Sequence, residues 1–285
     1  MSAGPTSQAA APAATARIAR AFAGGRKAFV PYITAGDPDL ETTAALVRLL
    51  ERAGADAIEL GVPFSDPIAD GPVNQRAAER AIRAGTTLAS VIDLAASLRA
   101  DGVEAALVLF TYVNPVLAFG VERFAAAAAA AGVDGVLVTD LPVDEAVDSG
   151  YEAALRGRAL DRIYLATPTT TEARLRKVRE AGSGFLYYVS RTGVTGARDA
   201  LPETLPVEVA RARRQVERPV AVGFGISTPA QAAEVARVAD GVVVGSAIVE
   251  RVERLGRGAL EDVSVFARAL AEAVHGAAAA GPPAP

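Results

Sequence analysis

The chain has 285 residues, 51% of them hydrophobic, and a mean hydropathy of +0.26, enough to bury the core of one large α/β barrel or of two smaller domains. It has no Cys and one His, His275, beside an Ala/Gly/Pro tail, which removes disulfides, thiolate metal sites and a Cys nucleophile and argues against a His-built metal site or a Ser-His-Asp triad. A formal charge of −4 without a basic stripe interleaved with aromatics argues against nucleic acid, and no apolar run reaches transmembrane length, the longest, from Phe124, being interrupted by Asp134.

Residues 1–16 are rich in Ala, Pro, Ser and Thr, with neither a charged start nor a compact apolar core, so they do not read as a secretory signal. They read as a disordered leader, residues 17–275 as one catalytic domain and residues 276–285 as a disordered tail, with the cytoplasm as the expected location. The first acidic residue is Asp37, which leaves an organellar transit segment as the alternative to a bacterial leader. Lys27 and Lys177 are the only lysines, a bias that points to a GC-rich bacterial genome.

In chain order, Arg17 to Ala23 reads as a short amphipathic helix fit to plug the floor of a barrel. Ala28 to Thr34 is an apolar strand ending in Ala35-Gly-Asp-Pro38, a turn that starts a helix from Thr42 to Ala53, capped by Gly54. Ala55 to Leu60 is the second strand, and after a long loop come helices from Asn74 to Ala84 and from Leu88 to Ala100. Ala105 to Thr111 is the third strand, Val121 to Ala131 an Ala-filled helix, and Gly135 to Thr139 the fourth strand, closing on Asp140. Asp144 to Leu160 reads as one helix weakened at Ser149-Gly150 and Gly157. The remaining strands are Ile163 to Ala166, Gly184 to Ser190, Pro219 to Gly223 and Gly241 to Val244. Between and after them lie helices from Thr171 to Ala181, from Glu203 to Val216, from the Thr228 cap with Pro229 first, and from Ser246 onward.

Strands that are short and apolar on both faces demand a parallel sheet covered by helices. Eight strand–helix units in this length argue for a single closed (β/α)8 TIM barrel with extra helices. A doubly wound open sheet is the alternative, but no Gly-x-Gly-x-x-Gly follows the first strand. A barrel brings the residues after each strand to one mouth, so Glu59, Asp70, Tyr112, Thr139, Asp140, Tyr187 and the loop 191–197 would share one rim.

The stretch Ile58-Glu-Leu-Gly-Val-Pro-Phe-Ser-Asp-Pro-Ile-Ala-Asp-Gly71 carries the chemistry. Glu59 lies inside an apolar run, where an unpaired carboxylate shifts its pKa upward and becomes able to give and take a proton near neutral pH. Asp70, eleven residues on in a turn-rich loop, is a second acid in a different environment and so suited to a different task. A Glu at a strand end that faces solvent or meets an Arg, followed by ordinary Asp-Pro and Asp-Gly turns, is the plainer alternative.

Gly223-Phe-Gly225 after strand seven and Gly245-Ser246 at the start of a helix offer backbone N–H groups and a helix N-terminus to an anion, as phosphate-binding barrels do. Ser190 to Gly196, with Arg191 and Thr195, reads either as a lid or as a plain connection. Tyr32, Phe110 or Tyr112, Leu165, Tyr187 and Phe224 at the mouth suit a flat apolar group or simply core packing.

Together these residues resemble the tryptophan synthase alpha subunit. The matching stretches are Pro31 to Pro38, Ile58 to Gly71, Tyr112 with Asn114, Val138 to Pro142, Ala166 to Thr170, Tyr187 to Gly196, Val222 to Ile226 and Val244 to Ser246, spread over roughly residues 17–270. The resemblance implies retro-aldol cleavage of indole-3-glycerol phosphate to indole and glyceraldehyde 3-phosphate, with no metal or organic cofactor in this chain. It puts the catalytic carboxylates on Glu59 and Asp70. The indole contacts fall on Tyr32, Phe110, Tyr112, Thr139, Leu165 and Tyr187, and the phosphate contacts on Gly196, Gly225, Gly245 and Ser246. Tyr32 stands where a Phe is common in the family. The implied partner is a beta subunit containing pyridoxal phosphate in an alpha2-beta2 heterotetramer. It receives indole through a tunnel and docks on mouth loops that include Pro63 to Pro67 and Asn114.

Overall fold

A computed structural model of the chain describes residues 16–190, 202–223 and 225–277. The leader before residue 16, the lid residues Arg191 and Thr195, the phosphate-end Gly196, Phe224 and the tail from residue 278 lie outside the described residues.

Among the described residues, eight parallel strands pair in sequence order and close into a barrel. They are β1 (Ala28–Thr34), β2 (Ala57–Gly61), β3 (Ala106–Thr111), β4 (Gly135–Val138), β5 (Asp161–Ala166), β6 (Leu186–Val189), β7 (Val220–Gly223) and β8 (Gly241–Val244), with β8 pairing back onto β1. Their outward residues, such as Phe29, Ile58 and Leu107, pack under the helical layer, which is why the strands are apolar on both faces.

The helices follow in order: α1 (Ala16–Ala21), α2 (Leu40–Ala53), α3 (Pro72–Arg83), α4 (Leu88–Ala100), α5 (Val113–Phe119), α6 (Val121–Ala130), α7 (Val143–Asp148), α8 (Tyr151–Arg156), α9 (Glu172–Ala181), α10 (Leu205–Val216), α11 (Pro229–Val238), α12 (Ser246–Leu255) and α13 (Leu260–His275). None of them is by itself long and apolar enough to cross a membrane.

The floor is plugged as the sequence suggests. Ile18 of α1 and the following Phe22 fill space left by small residues: a Cβ on Gly135 would sit 3.0 Å from Ile18 and one on Gly241 2.8 Å from Phe22. Around this end, Asp56, Asp134 and Asp240 each accept the backbone N–H of a neighbouring strand, from Phe29, Leu107 and Val220 at 2.8, 2.9 and 2.9 Å. Each pairs with an arginine, Arg26, Arg99 and Arg213 respectively. Strand starts that would otherwise leave buried N–H groups unpaired are satisfied this way.

Three local features differ from the sequence expectation. The stretch Asp144 to Leu160 is two helices, α7 and α8, because Gly150 takes φ +77 between them. Helix α5 was not expected; Asp140 caps it by accepting the Val113 N–H at 2.7 Å. Helix α3 starts at Pro72, in the first helical position, which draws Asn74 into its first turn.

Candidate active site

The topmost inward-facing side chains of the barrel form the floor of a cavity. Tyr32 is the register partner of Glu59 across β1 and β2, and Leu165 the partner of Tyr187 across β5 and β6. These four, with Phe110 and Thr139, line a cavity of about 410 Å³ whose remaining wall includes Asp70, Asn74, Gly225, Gly245 and Ser246. Residues far apart in sequence therefore share one site at the C-terminal ends of the strands, the end where barrels of this type keep their chemistry.

Glu59 is fully buried, and neither carboxyl oxygen has a hydrogen-bond partner among the described residues. Burial alone pushes its pKa up to about 8, so the side chain is mainly a neutral acid at pH 7. Asp70, also buried, is handled differently. Burial raises its pKa, but hydrogen bonds from Tyr112 and Asn74 oppose the rise. The Tyr112 hydroxyl accepts the Ala69 N–H at 3.1 Å and donates to Asp70 Oδ2 at 2.9 Å. Burial raises both carboxyls, but only Asp70 has hydrogen-bond donors that favour its charged form, so the two environments differ.

The opposite end of the cavity is built for backbone contact. Gly225 holds φ +79, a conformation L side chains rarely adopt. Gly245 is the N-cap residue of α12 and Ser246 its first residue. A Cβ on Gly245 would come within 3.3 Å of the Tyr32 ring, so this end and the aromatic wall touch. The exposed N–H groups of a helix start suit an anion.

Tyr32, Glu59, Asp70, Phe110, Thr139, Leu165, Tyr187, Gly225, Gly245 and Ser246 are all brought together. Tyr112 is not on the cavity wall; it stands behind Asp70 and its ring packs 5.2 Å from Phe64. Asn74, Thr167 and Thr169 line the cavity without having been singled out from sequence. The signal for Asn74 was Pro72, which marks a helix start two residues earlier than expected.

The family model described as "Tryptophan synthase alpha chain" matches residues 18–277. The tryptophan synthase alpha chain of Geobacter sulfurreducens is 53% identical over 263 residues, covering 90% of this chain and 98% of that one. The one from Geotalea uraniireducens is 56% identical over 241 residues, covering 83% and 89%. Among solved structures, tryptophan synthase subunit alpha from Legionella pneumophila superposes with a TM-score of 0.83 at 36% identity, covering 90% of this chain and 98% of that chain. A structure of Mycobacterium tuberculosis tryptophan synthase gives 0.82 at 38%, covering 92% and 97%. The shared barrel and these matches agree: the chain belongs to the tryptophan synthase alpha chain family.

Proposed function

We propose that Glu59 and Asp70 carry out the reaction of this family, cleavage of indole-3-glycerol phosphate to indole and glyceraldehyde 3-phosphate. The observation that carries the assignment is Glu59, a buried cavity-wall carboxyl with both oxygens unbonded among the described residues and its pKa pushed up to about 8. Indole is a poor carbanion leaving group, so C3 must gain a proton before its bond to the glycerol chain breaks. Protonated Glu59 gives that proton. Positive charge then develops at the ring nitrogen, whose N–H is accepted by anionic Asp70. Glu59, now a carboxylate, takes the proton from the hydroxyl on the adjacent glycerol carbon. That O–H pair becomes the aldehyde carbonyl while the carbon–carbon pair returns to the ring. Glu59 ends protonated, and the atoms balance without water or a redox partner. Proton transfer of this kind contributes ~10²–10⁴-fold, and a fixed group facing the developing charge ~3 kcal/mol.

Tyr32, Phe110, Thr139, Leu165 and Tyr187 would hold the indole ring, and Gly196, Gly225, Gly245 and Ser246 the phosphate, with Arg191 and Thr195 on the closing loop. Tyr112 is better read as the residue that holds Asp70 than as an indole contact. The family implies no cofactor in this chain and a beta subunit as its partner. Pyridoxal phosphate in that subunit, an alpha2-beta2 heterotetramer and a cytoplasmic location complete the reading. The exposed apolar side chains Ile68 and Leu117 near the mouth support a docking surface there.

The decisive experiment is Glu59→Gln in the full-length chain. Cleavage should fall about 10²–10⁴-fold while glycerol phosphate still binds. A fully active variant would remove the assignment.

A further inference from the structure

Helix α3 opens two residues after Asp70, and helix α12 opens at Ser246, so these two helices carry the two ends of the site. Arg76 and Arg80 lie one turn apart on α3, and both reach Glu253, two turns into α12. Arg76 Nε and Nη2 donate to the two Glu253 oxygens at 2.6 and 2.7 Å, and Arg80 Nη1 donates to Glu253 Oε1 at 2.9 Å. The other edge of Arg80 grips Asp37, Nε to Oδ1 at 2.8 Å and Nη2 to Oδ2 at 2.7 Å. Asp37 is 2% exposed and lies in the loop after β1, the strand of Tyr32. One guanidinium therefore joins α3 and α12, which both reach the cavity, to the loop after β1, the strand that carries Tyr32. The hydrogen bonds from Arg76 and Arg80 hold the Glu253 carboxyl down at about 2, so the bridge stays charged near neutral pH.

Many ion pairs only stabilise a fold, and the buried Arg99–Asp134 pair at the barrel floor is of that kind. Arg80 differs in place and in form. It lies beside the catalytic mouth, and its two-pronged grip on Asp37 fixes angle as well as distance. A carboxylate acting on a developing charge must be held within about 0.5 Å of its working position.

We propose that Arg80 and Glu253 are positioning residues for cleavage, clamping α3 to α12 and to the loop after β1 so that Asp70 keeps its place relative to the phosphate end. The inference rests on the assignment of Asp70 above. Asp70 acts only as the ring nitrogen becomes positive, so displacing it lowers kcat and leaves KM nearly unchanged.

The test compares Glu253→Gln and Arg80→Lys with Asp134→Asn as the floor control, all in the full-length chain. Each is measured for Tm, for kcat and KM on indole-3-glycerol phosphate, and for inhibition by glycerol phosphate. The clamp variants should lose about 10-fold in kcat with KM within about 3-fold and inhibition unchanged, whereas the control loses Tm alone. If the clamp variants behave like the control, or raise KM at constant kcat, the proposal is overturned. Arg76→Gln, on the more exposed arm, is the milder variant should the others fail to fold. It should lose about 3-fold in kcat, and no loss overturns the clamp. Asp70→Asn, measured alongside, keeps the two readings apart. If it is active, the assignment of Asp70 fails; if it is inactive while the clamp variants are unimpaired, only the clamp fails.

Discussion

Tyr112 donates its hydroxyl proton to Asp70 Oδ2 at 2.9 Å, and the Tyr112 hydroxyl oxygen accepts the Ala69 N–H at 3.1 Å. A ring at the end of β3 thereby fixes both the position and the ionisation of a carboxylate on the neighbouring loop. Tyr112→Phe removes the donor and leaves the Ala69 N–H unpaired. Hydrogen bonding from Tyr112 lowers the Asp70 pKa, so its loss raises it. In the proposed mechanism Asp70 acts as an anion, so the acidic limb of the kcat/KM profile should move to higher pH. Activity should then fall more at pH 6 than at pH 8. A profile that scales down uniformly would show that Tyr112 does not tune Asp70.

Asn74 makes the second hydrogen bond to Asp70, and its Oδ1 is buried without a partner among the described residues. A carboxylate only accepts, so the amide nitrogen must face it. Asn74→Leu should shift the acidic limb in the same direction as Tyr112→Phe. Asn74→Asp should do more, because two adjacent carboxyls cannot both ionise easily and Asp70 would retain a proton toward neutral pH. The pH profiles of the two variants provide the check. An Asn74→Asp chain as active as the parent at pH 7 would end the idea.

The sequence made the barrel legible because its strands, such as Val136 to Val138 and Val242 to Val244, are buried on both faces and so read as apolar runs. Glu59 was legible because a carboxylate interrupts such a run. Tyr112 was only half legible. Strand position told which end of the barrel it occupies, but it lies just past β3, where alternation no longer says whether a ring faces the cavity or the loop behind it. Thr167 and Thr169 sit in a loop with no periodicity to read. Helix α5 is seven residues long and contains Pro115, too short for a helical pattern to show.

Gly61 is required by its neighbour. A Cβ there would lie 2.2 Å from the Tyr32 hydroxyl oxygen and 2.5 Å from Cζ. The Tyr32 ring already meets Phe110 edge-on, centroids 5.2 Å apart, so the direct retreat is blocked. Gly61→Ala should cost about 1–3 kcal/mol of stability by overpacking and raise KM as the ring moves into the cavity. In a Tyr32→Val background the obstacle is gone, and Gly61→Ala should cost little further. Thermal unfolding of the two single variants and the double variant measures this. Equal costs in both backgrounds would mean that the ring is not what excludes a side chain at residue 61.

Glu59 should make the fold less stable as pH rises from about 4.5 to about 8. Its pKa rises from 4.5 to about 8 on burial, so the folded chain holds a proton that the unfolded chain has already released. The stability associated with this group is fully present below pH 4.5 and is lost as pH rises toward 8, by at most about 1.4 kcal/mol per pH unit. Glu59→Gln mimics the neutral acid and has no proton to lose. Its stability advantage over the parent should be small near pH 4.5, widen steadily to about pH 8 and then level off. In the proposed mechanism only protonated Glu59 protonates C3, so the same titration should make kcat/KM decline above about pH 8. Denaturant unfolding of both chains from pH 5 to pH 9 measures the gap. A gap that stays constant across that range would mean Glu59 is not held as a neutral acid in the folded chain.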